Sequence, residues 1–168
     1  MRLINKLYII IIVLLVCSCS AIKQVKSIPE LKIEYGYGLD NPELNKSITY
    51  VGHGTASWRY KKGGIEADTP HPLENTYIMP KLDKTDKIKI SISYPPDYYT
   101  VRYWTENYIG DPQTNNQYYK TLDINKGIII LPNEGLGHVF QVIATWESVN
   151  GIKDVQGYAS YVFFVAGK

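Results

Sequence analysis

Two glutamates that closely follow tryptophans are the residues of this chain best suited to catalysis. Glu106 lies two positions after Trp104, and Glu147 directly follows Trp146. Two carboxylates held roughly 5 to 10 Å apart around a sugar can hydrolyse a glycosidic bond. Separation along the chain does not show that these two meet in space, so a glycosidase remains an alternative to the non-catalytic protein that we expect.

The three histidines do not follow a metal-ligand pattern. His53, His71 and His138 lie in separate segments, whereas zinc sites usually include ligands a few residues apart. We expect His53 and His71 in loops and His138 at the start of a strand. A zinc site assembled from all three across the fold is the alternative.

Acidic side chains that could bind Ca²⁺ and serines that could act as nucleophiles give equally weak signals. Glu66 and Asp68 beside Thr69 carry the oxygen ligands that Ca²⁺ prefers, although a solvated loop explains them as well. No Gly-x-Ser-x-Gly elbow is present, and Ser57 falls inside an expected strand. We therefore predict no catalytic residues, no metal and no cofactor, and we expect that the protein is not an enzyme.

Tyrosine is the residue type that points to recognition. The chain has 15 Tyr and only three Phe, and tyrosine combines a flat apolar ring with a polar tip. Trp104 with Arg102 could add a stacking or cation-π contact. The alternative is that the tyrosines brace edges and corners of the fold. The candidate ligand contacts are Tyr98, Tyr99, Trp104, Tyr118 and Tyr119.

The elements that must position these residues have the period of strands. Ile88, Ile90 and Ile92 alternate with polar residues, which gives a strand one apolar and one polar face. The segments 31–37 and 140–146 repeat this alternation. The segment 158–165 is apolar on both faces, as expected of a central strand covered on both sides or of a last strand at an interface.

Proline and glycine separate these segments, and no convincing helical stripe follows Ile22. Asn150-Gly151 indicates a hairpin between the last two long apolar runs. Seven to nine short strands with turn signals between them favour an all-β fold. We predict a single antiparallel β-sandwich of the immunoglobulin-like type over residues 30–168.

The N-terminal segment has the layout of a secretory signal. Arg2 and Lys6 precede an apolar run from Leu7 to Val16, which is shorter than the roughly 20 residues of a membrane-spanning helix. We predict a signal peptide over residues 1–18. Plain secretion and an uncleaved anchor are the alternatives.

Val16-Cys17-Ser18-Cys19 resembles the lipobox of bacterial lipoproteins. The resemblance implies that Cys19 is acylated and becomes the first mature residue, with residues 19–29 as its tether. Cys17 is the poorer candidate because the bulky Val16 would precede it, where the motif has a small residue. The implied partner is the lipid bilayer, and the implied location is the extracytoplasmic face of the cell membrane.

The part that follows the signal is electrically balanced and free of cysteine. Removing Arg2 and Lys6 reduces Lys and Arg from 18 to 16, which equals the 16 Asp and Glu. No bulk positive field remains to attract nucleic acid, so we expect no nucleic-acid partner. Both cysteines lie at the signal junction, so the domain is expected to depend on its hydrophobic core for stability.

A second resemblance concerns the domain itself. Gly54-Thr55-Ala56-Ser57-Trp58, the segment 67–73, the strand at Ile88, Val101-Arg102-Tyr103-Trp104 and the tyrosine-rich closing strands are similar to immunoglobulin-like domains of uncharacterised Gram-positive lipoproteins. The resemblance implies a fold and brings no catalytic residues. The function we predict is a membrane-anchored, non-catalytic binding module for an envelope protein or other ligand. The alternatives are a module that binds wall glycan and an inhibitor of an exported enzyme that uses loops 51–54, 95–99 and 106–117.

Overall fold

The computed structural model describes residues 27–36, 46–51, 54–60, 63–74, 76, 78–111, 118–147 and 155–167. Within these ranges the chain forms β-strands and one short 3-10 turn, Glu106–Tyr108. The strands are β1 (Glu30–Tyr35), β2 (Lys46–Val51), β3 (Ala56–Tyr60), β4 (Gly63–Ala67), β5 (Lys81–Leu82), β6 (Lys87–Ile92), β7 (Tyr98–Thr105), β8 (Lys120–Leu122), β9 (Ile128–Ile130), β10 (His138–Trp146) and β11 (Val155–Val165).

Two sheets pack face to face, which confirms the expected all-β sandwich. The smaller sheet has the order β2-β1-β6-β9, and the larger has the order β4-β3-β11-β10-β7-β8, with β5 paired to the end of β11. Every pairing is antiparallel except the one between β5 and β11. Along the described strands the chain changes sheet five times: between β2 and β3, between β5 and β6, between β6 and β7, between β8 and β9, and between β9 and β10.

The strands with clear alternation form where the sequence predicts them. β1 and β6 bury alternate residues, and β10 does so from Phe140 onward. β11 lies between β3 and β10 and is buried on both faces along its second half. The described residues contain eleven strands instead of the seven to nine expected, because β5, β8 and β9 have only two or three residues each and carry no periodic signal.

A row of large and small residues crosses the core side of the larger sheet. Gly157 of β11 lies in register with Trp58 of β3 on one side and Trp146 of β10 on the other. The two indoles meet edge to face with their ring centres 4.7 Å apart. In the neighbouring row, Ala159 lies between Ala56 and Ala144. Small residues on β11 therefore leave room for the tryptophans to meet across it.

A second apolar cluster covers the outer face of the larger sheet. It contains Leu73 and Met79, from the connection between β4 and β5, together with Trp104, Val139 and Val162 from β7, β10 and β11. Leu73 and Met79 therefore form part of a third layer over this face. This cover explains why β11 is apolar on both faces.

Tyr161 connects the two sheets through a buried hydrogen bond. Its hydroxyl group donates to the carbonyl oxygen of Pro29 at 2.7 Å, just before β1 begins. Burial raises the pKa of this hydroxyl well above its usual range, because the interior disfavours the phenolate. Tyr161 therefore stays neutral and holds the entry of β1 against the central strand β11.

Candidate functional site

Aromatic side chains converge at one end of the sandwich, where the edge strand β8 joins β7. They surround an open cavity of about 320 Å³, which is near the lower end of the range for small-molecule sites. We call it the tyrosine concavity. Its lining residues are Tyr103, Thr105, Tyr108, Tyr118, Tyr119 and Lys120.

Local backbone structure positions the rings of the tyrosine concavity. β8 pairs with β7 so that Lys120 lies opposite Tyr103. The 3-10 turn after β7 carries Tyr108, and its first amide, that of Glu106, donates to the carbonyl oxygen of Gly137 at 2.8 Å. Gly110 follows with a φ of +81°, a backbone conformation that glycine adopts without strain. The turn is therefore fixed to the body of the domain.

The rings of the tyrosine concavity hold one another in place. Tyr108 and Tyr118 are stacked, with ring centres 5.3 Å apart and planes within 10° of parallel. Tyr118 is nevertheless 50% exposed, so much of its surface is open to solvent. Tyr119 packs edge to face on Trp104 at 6.1 Å and lies under the guanidinium of Arg102 at 4.6 Å.

An ion pair lies at the rim of the tyrosine concavity. Lys120 Nζ donates to Glu134 Oε1 at 2.9 Å. This hydrogen bond raises the pKa of Lys120 and lowers the pKa of Glu134, so both groups are charged at neutral pH. The buried His138 lies behind the pair, with Nε2 3.6 Å from the second carboxylate oxygen of Glu134. Donor and acceptor are thus adjacent and partly exposed to solvent.

The prediction that Trp104 contacts a ligand does not agree with its position in the structure. Trp104 is only 2% exposed and belongs to the outer apolar cluster, so it does not offer a surface for direct contact. Its neighbour Arg102 does make the cation-π contact that the sequence suggested, but the partner ring is Tyr119. Trp104 supports Tyr119 from below.

Tyr98 and Tyr99 lie at the other end of β7, away from Tyr118 and Tyr119. The seven steps from Tyr98 to Thr105 separate the two ends by about 23 Å. The Tyr98 hydroxyl donates to Glu147 at 3.0 Å, and this hydrogen bond raises its pKa. Tyr99 is half-buried against the main core. The predicted contact residues therefore do not form one surface.

The same geometry separates the two glutamates that suggested a glycosidase. β7 pairs with β10 so that Thr105 is opposite His138 and Tyr98 is opposite Thr145. Glu106 therefore follows one end of the β7–β10 pair, and Glu147 follows the other, about 23 Å away along the strands. This separation is well beyond the roughly 5 to 10 Å of paired catalytic carboxylates.

The other sequence candidates also remain apart. His138 begins β10 as predicted, and His71 packs edge to face on Trp104 at 5.2 Å, while His53 lies outside the described residues. Glu66 belongs to β4 and approaches Arg59 at 3.9 Å. Among the described residues, no three His, Cys, Asp or Glu side chains are grouped so that they could hold a metal ion.

Five residues of the site were not among the sequence candidates: Tyr103, Thr105, Tyr108, Lys120 and Glu134. The signal for Lys120 was its position directly after Tyr118 and Tyr119. Tyr108 and Glu134 reach the site through a turn and a loop whose approach depends on the pairing of β7 with β8 and β10. No local pattern marks such a contact.

No protein-family model, curated protein or solved structure matches this chain. In the part of the chain that the structure describes, no helix is both long and apolar enough to cross a bilayer. The apolar segment 7–16, Cys17 and Cys19 lie outside that part. The geometry of the tyrosine concavity is therefore the basis for assigning a function.

Proposed function

We propose that this protein is a lipid-anchored, extracytoplasmic recognition module that binds a ligand of the cell envelope without catalysis. The observation that carries the proposal is the convergence of Tyr108, Tyr118 and Tyr119 around Lys120 at one end of the sandwich. Tyrosines supply a large contact area at a low cost in conformational entropy. Mutual stacking orders two of these rings before any ligand arrives.

The connectivity supports an immunoglobulin-like assignment of the fold. β1, β6 and β9 are neighbours in one sheet, and β11, β10, β7 and β8 are neighbours in the other. Immunoglobulin-type sandwiches distribute consecutive strands between two sheets in this way and place their loops at the two ends. A binding surface at one end of the sandwich is in keeping with that architecture.

The charges at the site favour binding over chemistry. Lys120 and Glu134 neutralise each other through their hydrogen bond, so neither is poised to exchange a proton at neutral pH. Sites that transfer protons instead tend to hold groups whose pKa values are moved toward the operating pH. The ion pair is suited to donating and accepting hydrogen bonds at a fixed place.

The anchor in this proposal rests on Val16-Cys17-Ser18-Cys19. Each buried methylene of an acyl chain contributes about 0.8 kcal/mol, and a single chain holds a protein only marginally at a bilayer. Two or three chains on Cys19 would hold the domain firmly. β1 begins at Glu30, so residues 19–29 remain as a tether between the lipid and the first strand.

Replacement of Tyr118 by alanine tests the recognition site. We expect Tyr118→Ala to weaken retention of the purified protein on cell-envelope material by about tenfold or more, because an exposed aromatic anchor is lost. Tyr98→Ala is the matched control, since Tyr98 is 46% exposed but lies at the opposite end of the sandwich. Equal retention of Tyr118→Ala and the parent protein, with unchanged circular dichroism, would refute this assignment.

Replacement of Cys19 by serine tests the anchor. We expect Cys19→Ser to abolish incorporation of labelled fatty acid and to move the protein from the detergent phase to the aqueous phase. Cys17→Ser is the control and should remain lipidated, because the lipobox resemblance places the modified thiol at Cys19. Continued labelling of Cys19→Ser would show that the assignment of the modified cysteine is wrong.

A further inference from the structure

We infer that the ligand of the tyrosine concavity is an uncharged sugar ring within a glycan chain. This inference rests on the proposed recognition function and names its ligand class. A pyranose ring has an apolar face of C–H groups and a rim of hydroxyl groups that both donate and accept hydrogen bonds. The tyrosine concavity presents a matching set of groups: an open aromatic ring beside a paired donor and acceptor.

Tyr118 is the stacking platform in this inference. Tyr108 lies against it in a nearly parallel stack at 5.3 Å, which fixes the orientation of the Tyr118 ring. The 50% exposure of Tyr118 leaves ring surface available to a ligand. A flat sugar face can therefore pack on an aromatic surface that is already ordered.

Lys120 and Glu134 supply the polar recognition. Their bonded atoms are 2.9 Å apart, and their side chains are 62% and 36% exposed. Adjacent hydroxyl groups on a sugar can donate to the Glu134 carboxylate and accept from the Lys120 ammonium at the same time. Because the ion pair is neutral as a whole, it does not require a charged ligand.

A cationic ligand fits this site poorly, although clustered aromatic rings often bind quaternary ammonium groups. Two tyrosine faces already interact with cations of the protein itself: Arg102 lies 4.6 Å from the Tyr119 ring centre, and Lys120 lies 5.8 Å from that of Tyr103. Those two ring faces are therefore already occupied by the protein's own cations. The charges around the rings thus favour a neutral ligand.

The test compares retention of the full-length protein on three preparations of cell-envelope material. One is untreated, one is digested with protease, and one is oxidised with periodate, which cleaves the vicinal diols of sugars. We expect retention to survive protease and to fall at least about tenfold after periodate. Loss of retention after protease, or full retention after periodate, would overturn the assignment of a sugar with adjacent free hydroxyl groups while leaving a recognition module in place.

Variants on protease-digested material connect the ligand to this site. Glu134→Gln keeps the shape of the side chain but removes its charge, and we expect it to weaken retention several-fold. Tyr118→Ala should weaken it about tenfold or more, and Tyr98→Ala should leave it unchanged. If Tyr118→Ala and Glu134→Gln are both retained like the parent protein, the sugar is bound elsewhere and the inference fails. If Tyr118→Ala is retained like the parent protein on all three preparations, the proposed recognition site is refuted instead.

Discussion

Replacement of Trp146 by alanine is expected to lower the free energy of unfolding by about 3 to 5 kcal/mol. Trp146 is 1% exposed and packs edge to face on Trp58 at 4.7 Å. Its indole N–H also donates to the carbonyl oxygens of Tyr94 and Pro95, at 3.2 and 3.1 Å. The substitution would remove the ring, leave a cavity and deprive two carbonyl groups of their donor.

Urea denaturation followed by far-ultraviolet circular dichroism measures this loss. Trp146→Phe is the informative comparison, because it retains an aromatic ring and removes only the N–H and part of the volume. We expect Trp146→Phe to cost about 1 to 3 kcal/mol. A loss below about 1 kcal/mol for Trp146→Ala would mean that the indole does not hold the β6–β7 connection as the structure shows.

Replacement of Gly157 by alanine is expected to destabilise the domain by about 3 to 5 kcal/mol, from backbone strain and overpacking together. Gly157 has a φ of +143°, and a Cβ atom there would overlap the carbonyl oxygen of Ser57. β3 and β11 would have to separate where Trp58 is paired. Because globular domains have only about 5 to 15 kcal/mol in total, this one methyl group would remove a large share.

Gly110→Ala separates the two causes of that loss. Gly110 also has a positive φ, +81°, but an added Cβ would meet nothing within 4 Å. Its substitution should cost only the strain of a left-handed conformation, about 1 to 2 kcal/mol. Thermal unfolding by calorimetry compares the two variants. Equal melting temperatures would show that the contact with Ser57 adds nothing to the strain.

The fold was predictable where burial is one-sided and strands are long. Ile88, Ile90 and Ile92 alternate with polar residues because only one face of β6 meets the core. The local sequence pattern therefore indicates which face of the strand is buried in the folded domain. β5 and β8 lack that signal, since two or three residues cannot display a period. Their pairing with β11 and β7 comes from contacts between distant parts of the chain.

The candidate site was predictable in composition but not in arrangement. The richness in tyrosine led to Tyr118 and Tyr119, and their exposure agrees with a contact role. The sequence grouped them with Trp104, which is buried because the segment around Leu73 and Met79 covers that face of β7. No sequence pattern near Trp104 predicts that Leu73 and Met79 pack over it.

The direction from which the chain enters the sandwich also determines how a tethered domain would be presented. The carbonyl oxygen of Glu30 accepts from the Ser93 amide at 3.0 Å, and the same connection continues to Asp97, whose amide donates to Thr145 beside Tyr98. Entry therefore lies toward the Tyr98 end, and the tyrosine concavity opens at the other. With Cys19 held in a bilayer, residues 19–29 would span at most about 40 Å. The concavity would then lie at the end of the domain farther from the point where the tether joins it.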